Sequence, residues 1–241
     1  MKAVILASGE GKRLRPLTNS TPKILVQLGE KTILDHEIEN LKSAGIKKIL
    51  ITTGPFEDKV IDHVNGKYPD LKTEFVRNPE YKTTNAIYSL WLAGNKISED
   101  VILMHGDMVF DPALLMRLLE SPEKNCVLVN RKLKPEKDFK AVVAGGAVKK
   151  IGVEFFGSNA YFLAPIYKFS LRDFRVWLKE IDMFVREGKT DLYAESAFNA
   201  VSDRIRLAPV YYESELCMEI DDRKDLLLAR RLLSQQKQPF Y

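Results

Sequence analysis

The first 23 residues constrain the fold of this chain more than any other stretch. An apolar run over residues 2–6 predicts a β-strand that leads into the segment LASGEGKRLRPLTNSTPK at residues 6–23. A helical pattern follows, so the segment is predicted to be a strand-to-helix loop, where backbone N–H groups can face an anion. Gly9 and Gly11 allow a ligand to approach the backbone closely. The segment also carries four cations: Lys12, Arg13, Arg15 and Lys23. This combination indicates a polyphosphate-binding loop.

Two familiar phosphate-binding loops do not fit this segment. A dinucleotide fingerprint needs a third glycine or alanine where Leu14 stands, and a Walker A loop needs a Gly-Lys-Ser/Thr step that is absent. The observed pattern is G-x-G-x-R-L-x-P-L-T followed by P-K. Pro16 and Pro22 stiffen it and hold Lys23 at a fixed distance from Arg13. The alternative interpretation is a basic surface loop made of turn residues.

The rest of the chain alternates between strand-like runs and helical patterns up to residue 120. Strands are predicted at residues 48–52, 72–76 and 101–105, and helices at residues 33–45, 57–64 and 85–93. A further helix is predicted to begin near Pro112, with Asp111 as its N-cap. This alternation predicts an α/β fold with a mostly parallel sheet covered on both faces.

The pattern changes after Asn125. Short strands are predicted at residues 127–129, 139–144, 147–151 and 158–162, with Gly145-Gly146 as a hairpin turn. They are expected to extend the sheet with antiparallel strands. The remaining predicted elements are an amphipathic helix from Leu171, a helix ending at Val201, strands at 207–212 and 216–220, and a terminal helix from Asp221-Asp222.

No Pro/Gly/Ser-rich linker separates the two halves. We therefore predict one domain at residues 1–233, with a nucleotide-binding half at 1–120 and an acceptor-side half at 121–233. Residues 234–241 are polar and are expected to form a tail or a linker. A homo-oligomer or a fused partner domain remains open at this point.

Composition excludes several classes of function. The 37 basic and 33 acidic residues are spread along the chain, and the net charge is only +4, so a nucleic-acid partner is not expected. No segment approaches roughly 20 consecutive apolar residues and no leader pattern is visible, which predicts a cytoplasmic protein with no membrane partner. Two cysteines and three scattered histidines predict neither a disulfide framework nor a zinc site nor a Ser-His-Asp triad.

A carboxylate follows the predicted strand at residues 101–105. In open α/β sheets, ligands bind outside the carboxyl ends of the strands, so Gly106 and Asp107 are expected beside the glycine loop. Magnesium prefers carboxylate oxygens, which makes Asp107 the first candidate ligand. Capping of the next helix is the alternative role, although Asp111 is better placed for it.

The loop signature resembles that of the nucleotidyltransferases that activate sugar phosphates and related small phosphorylated compounds. The stretch EIDDRKDL at residues 219–226 resembles the segment of this superfamily in which an aspartate before the terminal helix binds the metal. That resemblance makes Asp221 the second expected magnesium ligand, with helix capping as its alternative role. It also implies a single Rossmann-like, GT-A type nucleotidyltransferase domain, with a mixed, mostly parallel sheet flanked by helices.

Within this superfamily, the stretch NPEYKTTNAIYSL at residues 78–90 is similar to the bacterial CTP:phosphocholine cytidylyltransferases and related 2-aminoethylphosphonate cytidylyltransferases. The DLY run at 191–193 and EID at 219–221 are similar to the same family, so the resemblance extends to about Leu233. It implies magnesium-dependent transfer of CMP from CTP to a small phosphorylated or phosphonylated amine, with release of pyrophosphate. Phosphocholine, phosphoethanolamine and 2-aminoethylphosphonate are the acceptors it implies.

The chemistry and the resemblance together give the expected site. The catalytic residues are expected to be Arg13, Lys23 and Asp107. The expected nucleotide-binding residues are Leu6, Ala7, Ser8, Gly9, Glu10, Gly11, Lys12, Arg13, Lys23, Asn85, Ala86, Ser89 and Gly106. The resemblance implies acceptor contacts at Phe156, Tyr161, Tyr193 and Glu195. The expected metal ligands are Asp107 and Asp221.

Two other functions share parts of this sequence pattern. A sugar-1-phosphate or inositol-phosphate nucleotidyltransferase would carry the same loop. A non-catalytic nucleotide sensor would keep the fold, but it would not require Arg13, Lys23, Asp107 and Asp221 together.

Overall fold

The computed structural model describes residues 1–133 and 137–236. The strands within them are β1 (Lys2–Leu6), β2 (Gln27–Leu28), β3 (Lys31–Thr32), β4 (Lys48–Thr53), β5 (Lys72–Arg77), β6 (Val101–His105), β7 (Met108–Phe110), β8 (Cys126–Asn130), β9 (Lys140–Ala144), β10 (Ala147–Gly152), β11 (Ala160–Phe169), β12 (Ala208–Tyr212) and β13 (Cys217–Glu219). The α-helices are α1 (Ile33–Ser43), α2 (Glu57–Lys67), α3 (Ala86–Ala93), α4 (Pro112–Glu120), α5 (Leu171–Arg186), α6 (Ala194–Val201) and α7 (Arg223–Gln236). None of these helices is long and apolar enough to cross a membrane.

A nine-stranded mixed sheet organises the described chain. Its path runs β10-β9-β11-β6-β1-β4-β5, and β8 joins it beside β11 and carries β12 on its other side. The strands β6, β1, β4 and β5 are parallel neighbours, whereas β11 runs antiparallel to β6, β8 and β9. The apolar runs that predicted β1, β4 and β6 are buried on both faces, as central parallel strands are. The predicted mixed sheet flanked by helices is confirmed.

The structure differs from the predicted elements in the second half of the chain. Strand β11 continues to Phe169, beyond the predicted end at residue 162, because it pairs with three neighbouring strands. Pro165 interrupts the sequence pattern, and it lies where the register with β8 shifts between Ala164 and Tyr167. A proline has no N–H to donate, so a bulge is where a long strand tolerates it.

Two further differences concern the C-terminal part. The predicted strand at residues 216–220 is β13, and it pairs with β7 in a separate two-stranded antiparallel sheet instead of extending the main one. Helix α7 reaches Gln236, so residues 234–236 of the expected tail are helical. Residues 237–241 of that tail lie outside the described part of the chain.

The core lies on both faces of the main sheet. On one face, Trp177 is fully buried among Phe169, Phe174 and Phe198, with ring centroids 5.3–5.7 Å apart. The Trp177 indole donates a hydrogen bond to the Ala194 carbonyl at 3.0 Å, so its polar atom is satisfied in this apolar setting. This cluster fastens α5 and α6 to the sheet.

A polar network on the other face joins α1 to α2. Asp35 is buried; it caps α1 together with Thr32 and accepts hydrogen bonds from His63 and Tyr68, both at 2.8 Å. Lys67 forms an ion pair with its second oxygen at 2.9 Å. Burial raises the pKa of the Asp35 carboxyl, but these donors together outweigh that effect and hold it well below its usual range.

We predict that Asp35→Asn lowers the free energy of unfolding by about 2–4 kcal/mol near pH 7, because the buried donors lose their charged acceptor. The depressed folded-state pKa means that this stabilisation is complete above about pH 4 and declines as the pH falls further. Urea unfolding near pH 7, 5 and 3.5 measures both effects. Exposed Asp203→Asn is the control, with an expected change below about 0.5 kcal/mol. A deficit for Asp35→Asn that did not shrink at low pH would contradict the proposed cause.

Candidate active site

A cavity of about 430 Å³ opens at the carboxyl ends of β1 and β6. Residues 6–13 form one wall and the start of α3 another, and the remaining walls come from β6, the segment 137–139 and the residues around β13. Gly11 has a φ of 63°, and a Cβ there would lie 3.0 Å from the Lys23 Cβ. At Gly106 a Cβ would lie 2.7 Å from the Ala7 Cβ. Both glycines are therefore required by close packing in the cavity wall.

Lys23 is the centre of the charge arrangement in this cavity. Its ammonium lies 2.6 Å from Asp107 Oδ2 and 3.1 Å from Asp221 Oδ1. The Arg13 guanidinium lies 2.9 Å from the same Asp221 oxygen. The structure thus brings together four residues that the sequence placed in the site, over a separation of up to 208 positions between Arg13 and Asp221.

The pKa directions agree with this pairing. Burial lowers the pKa of the Lys23 ammonium, but Asp107 and Asp221 raise it above its ordinary value overall. Burial raises the pKa of the Asp107 carboxyl, yet the Lys23 charge brings it below its ordinary value. Each group stabilises the charged form of the other, so both are ionised at neutral pH.

Backbone hydrogen bonds fix the two aspartates. The Ile220 N–H donates to the Asp107 carbonyl at 2.8 Å, which places Asp221 next to Asp107. On the other side, the Met108 N–H donates to a carboxyl oxygen of Glu37 at 3.0 Å. Glu37 is fully buried on α1, and burial raises the pKa of its carboxyl well above the usual range.

The donor set fits a divalent cation. Asp107 Oδ1 and Glu219 Oε1 are buried without a hydrogen-bond partner among the described residues. Ligand atoms of His105, Asp107 and Glu219 all lie within 4.8 Å of one another. Burial, followed by the Asp107 charge, raises the pKa of Glu219 to about 8. Such unsatisfied carboxylate oxygens suit Mg²⁺ or Mn²⁺, whose charge would favour the ionised form of Glu219.

The two polar residues predicted on α3 occupy different positions. Asn85 lines the cavity and caps α3, with its side chain accepting from the Ala86 N–H at 2.7 Å. Ser89 is fully buried and does not line the cavity. Its hydroxyl is 2.5 Å from the Ser8 hydroxyl and accepts from Asn78 at 3.0 Å, so Ser89 holds the glycine loop from behind. Ser89, predicted to contact the nucleotide, thus lies beneath the cavity wall in this structure.

Of the four predicted acceptor residues, only Tyr193 lines the cavity, and its side chain is 40% exposed. Glu195 points inward from the first turn of α6, where it accepts from the Tyr167 hydroxyl at 2.8 Å and lies 3.3 Å from His105. Tyr161 packs on the core, and Phe156 is 72% exposed, away from the cavity, with the Lys140 ammonium 4.5 Å above its ring. The structure therefore does not bring these three residues to the cavity wall.

Sequence reasoning missed several cavity residues. Lys137, Asp138 and Phe139 lie in the wall just before β9, and the Phe139 ring packs edge-to-face on Tyr193 at 4.9 Å. His105 also lines the cavity, beside Phe139. Burial lowers the pKa of its imidazole, but the Glu195 charge raises it to about 9. The signal in the sequence was the charged pair Lys137-Asp138 directly before an aromatic residue and a strand. That pattern is common on protein surfaces.

Comparison with known proteins supports these observations. A family model described as nucleotidyl transferase matches residues 2–147. The chain is 36% identical over 135 residues, 56% of its length, to CMP-5'-(3-aminopropyl)phosphonate synthase from Streptomyces rubellomurinus. It is 34% identical over 137 residues to CTP:phosphoglutamine cytidylyltransferase from Campylobacter jejuni, and 37% identical over 110 residues to choline-phosphate cytidylyltransferase from Streptococcus pneumoniae. The Campylobacter match covers 54% of this chain and the Streptococcus match 46%.

The matched segments make up only part of each relative: 22% of the Streptomyces protein, 53% of the Campylobacter protein and 46% of the Streptococcus protein.

Solved structures share the fold over nearly the whole chain. The CTP:phosphocholine cytidylyltransferase from Streptococcus pneumoniae superposes with a TM-score of 0.80 at 25% identity, covering 96% of this chain and 98% of that one. The inositol-1-phosphate CTP transferase from T. maritima gives a TM-score of 0.83 at 22% identity, covering 100% and 97%. With its family match across residues 2–147 and its glycine loop beside paired aspartates, the chain belongs to the nucleotidyl transferase family.

Proposed function

We propose that this protein is a magnesium-dependent cytidylyltransferase that transfers CMP from CTP to a small phosphorylated or phosphonylated amine, releasing pyrophosphate. The observation that carries the proposal is the joining of Asp107 and Asp221 by Lys23 at the edge of the glycine loop. Three relatives are named as a CMP-(aminopropyl)phosphonate synthase, a CTP:phosphoglutamine cytidylyltransferase and a choline-phosphate cytidylyltransferase, which supports the cytidylyl branch. We also propose that residues 1–233 act as one catalytic domain, in the cytoplasm.

The reaction makes modest demands on the protein. An oxygen of the acceptor phosphate or phosphonate attacks the α-phosphorus of CTP, and the bond to the β-phosphate oxygen breaks, so the electron pair leaves with pyrophosphate. The attacking oxygen is already anionic, so no general base is needed. The protein has to align the reactants and offset the charge that builds on the α-phosphate.

The cavity residues suit those tasks. The loop N–H groups at residues 8–11, with Lys12 and Arg13, hold the β- and γ-phosphates, and Lys23 faces the α-phosphate. Asp107 and Asp221 would hold magnesium, with Glu219 beside them. A magnesium ion held there would supply positive charge that offsets the charge of the triphosphate and polarises the α-phosphorus. Lys23 then balances the charge that is added in the transition state.

Pyrophosphate release by the purified protein tests the proposal. CTP, UTP, ATP and GTP would each be combined with phosphoethanolamine, phosphocholine, 2-aminoethylphosphonate, glucose 1-phosphate and inositol 1-phosphate. We expect turnover with CTP and the aminated acceptors. Preference for UTP and glucose 1-phosphate would replace the proposal by a sugar-phosphate nucleotidyltransferase, the activity named for a 34% identical relative from Haloferax volcanii. CTP binding without turnover would indicate a sensor.

We predict that Asp107→Asn and Asp221→Asn each lower kcat by about a hundredfold or more, because each removes a carboxylate from the proposed metal site. The magnesium concentration needed for half-maximal rate should rise in any residual activity. Asp111→Asn is the matched control: this aspartate caps α4 outside the cavity wall, so activity should stay near normal. Near-normal rates for both site variants at saturating magnesium would refute the metal assignment.

The two cavity cations should have separable effects. We predict that Lys23→Met lowers kcat by about a hundredfold, since Lys23 acts where charge develops, whereas Arg13→Ala chiefly raises the KM for CTP. Steady-state kinetics in CTP at saturating acceptor measure both. Arg15→Ala provides the control, because Arg15 belongs to the same loop but does not line the cavity. An unchanged KM in Arg13→Ala would remove Arg13 from the triphosphate site.

A further inference from the structure

One carboxylate in the cavity wall, that of Asp138, forms no ion pair with another described residue. Burial raises its pKa, and the nearby charges of Lys137 and Lys140 act against that effect. Asp138 is half-buried and lines the cavity, and no hydrogen bond or ion pair joins its carboxylate to another described side chain. The neighbouring Lys137 also lines the cavity, but its ammonium is paired with the start of α7, 2.9 Å from Asp225 and 3.3 Å from Asp222. Lys137 therefore forms its ion pairs with these two aspartates, and the Asp138 carboxyl group remains in the cavity wall without an ion pair of its own.

The other carboxylates in the cavity wall either form ion pairs or belong to the proposed metal site. Asp107 and Asp221 share Lys23, as described above, and Glu10 lies 2.6 Å from Lys12. Glu219 lies with Asp107 in the proposed metal site, where their ligand atoms are within 4.8 Å of one another. A half-buried carboxylate that remains unpaired in such a cavity is suited to a cation brought by the ligand.

The nearby aromatic residues do not form a cage. Phe139 is buried and presents its edge to Tyr193, and the face of Tyr81 carries the Lys82 ammonium at 5.9 Å. Phe156 lies outside the cavity wall. Tyr193 alone among these described rings offers a partly exposed surface without a cation over it. Recognition of a quaternary ammonium uses several aromatic faces, so this wall does not suit a trimethylammonium group.

A primary ammonium fits the same wall better. It carries three N–H donors, and a carboxylate accepts such donors in short, charge-assisted hydrogen bonds, whereas a quaternary ammonium has none to give. Glu195 cannot take this role, because it is buried against Tyr167 and His105. Building on the proposed function, we propose that Asp138 determines acceptor specificity by binding the primary ammonium group of the phosphorylated or phosphonylated acceptor.

The test uses three acceptors that share a phosphate monoester and differ at the far end: phosphoethanolamine, phosphocholine and ethyl phosphate. The specificity constant kcat/KM of each is measured by pyrophosphate release at saturating CTP and magnesium. We expect the wild-type protein to prefer phosphoethanolamine over the other two by roughly tenfold or more. Asp138→Asn should raise the KM for phosphoethanolamine by roughly ten- to hundredfold. The KM for CTP and the kcat/KM for ethyl phosphate should not change.

Two further variants sharpen the test. Asp138→Glu keeps the charge and should retain part of the preference for phosphoethanolamine. Glu154→Gln removes an exposed carboxylate after β10 that does not line the cavity, and it should leave all three specificity constants unchanged.

The contradicting results are distinct. A wild-type preference for phosphocholine, or an Asp138→Asn variant that keeps its preference for phosphoethanolamine, would overturn the inference while leaving the cytidylyltransferase proposal intact. A uniform loss with all three acceptors, together with a raised magnesium requirement, would place Asp138 at the metal instead and also overturn it. Absence of CTP turnover with every acceptor would overturn the proposed function, and this inference with it.

Discussion

The architecture of the cavity depends on one ammonium group shared by two carboxylates. Asp107 follows β6 and Asp221 precedes α7, and their approach would be opposed by mutual repulsion in a partly buried setting. The Lys23 ammonium, within 3.1 Å of both, offsets that repulsion. It can do so because Gly11 leaves room for the Lys23 stem and because the glycine loop returns to the sheet at that point. The conformation of the glycine loop, the positions of the two aspartates and the Lys23 charge therefore depend on one another.

Much of this arrangement could be predicted from the sequence, because it rests on local patterns. The apolar runs of β1, β4 and β6 and the glycine loop are continuous in sequence, and the rule that ligands gather at strand carboxyl ends placed Asp107 correctly beside Lys23. Residues whose role depends on which way they face were not predictable. Glu195 and Ser89 each belong to a sequence motif that was assigned to the site. Their positions on α6 and α3, however, direct both side chains into the core. Only tertiary packing decides such orientations, and the same is true of the separate pairing of β13.

A group of buried polar side chains lies next to the part of the cavity wall that contains Phe139. His105, Glu195 and Tyr167 form a connected group behind Phe139, and both Glu195 and Tyr167 are fully enclosed. Burial raises the pKa of the Glu195 carboxyl, but the His105 charge lowers it below its ordinary value overall. His105 Nε2 and Glu195 Oε2 are buried without a hydrogen-bond partner among the described residues, so the attraction between the two charges offsets part of the cost of burying them. His105 packs against Phe139, which in turn packs against Tyr193, and Asp138 is the carboxylate of the adjoining segment 137–139 that lines the cavity.

The pairing of β7 with β13 affects the order in which the parts of the site become available during synthesis. Residues 108–110 can complete their small sheet only when residues 217–219 arrive, and Asp221 follows immediately after. Chains emerge from the ribosome with the N-terminus first, so the glycine loop and the parallel strands are available long before the partner strand is synthesised. A chain synthesised only as far as α6 therefore contains the glycine loop and Asp107 but lacks the second aspartate. The full set of charged site residues is therefore present only after Asp221 has been synthesised.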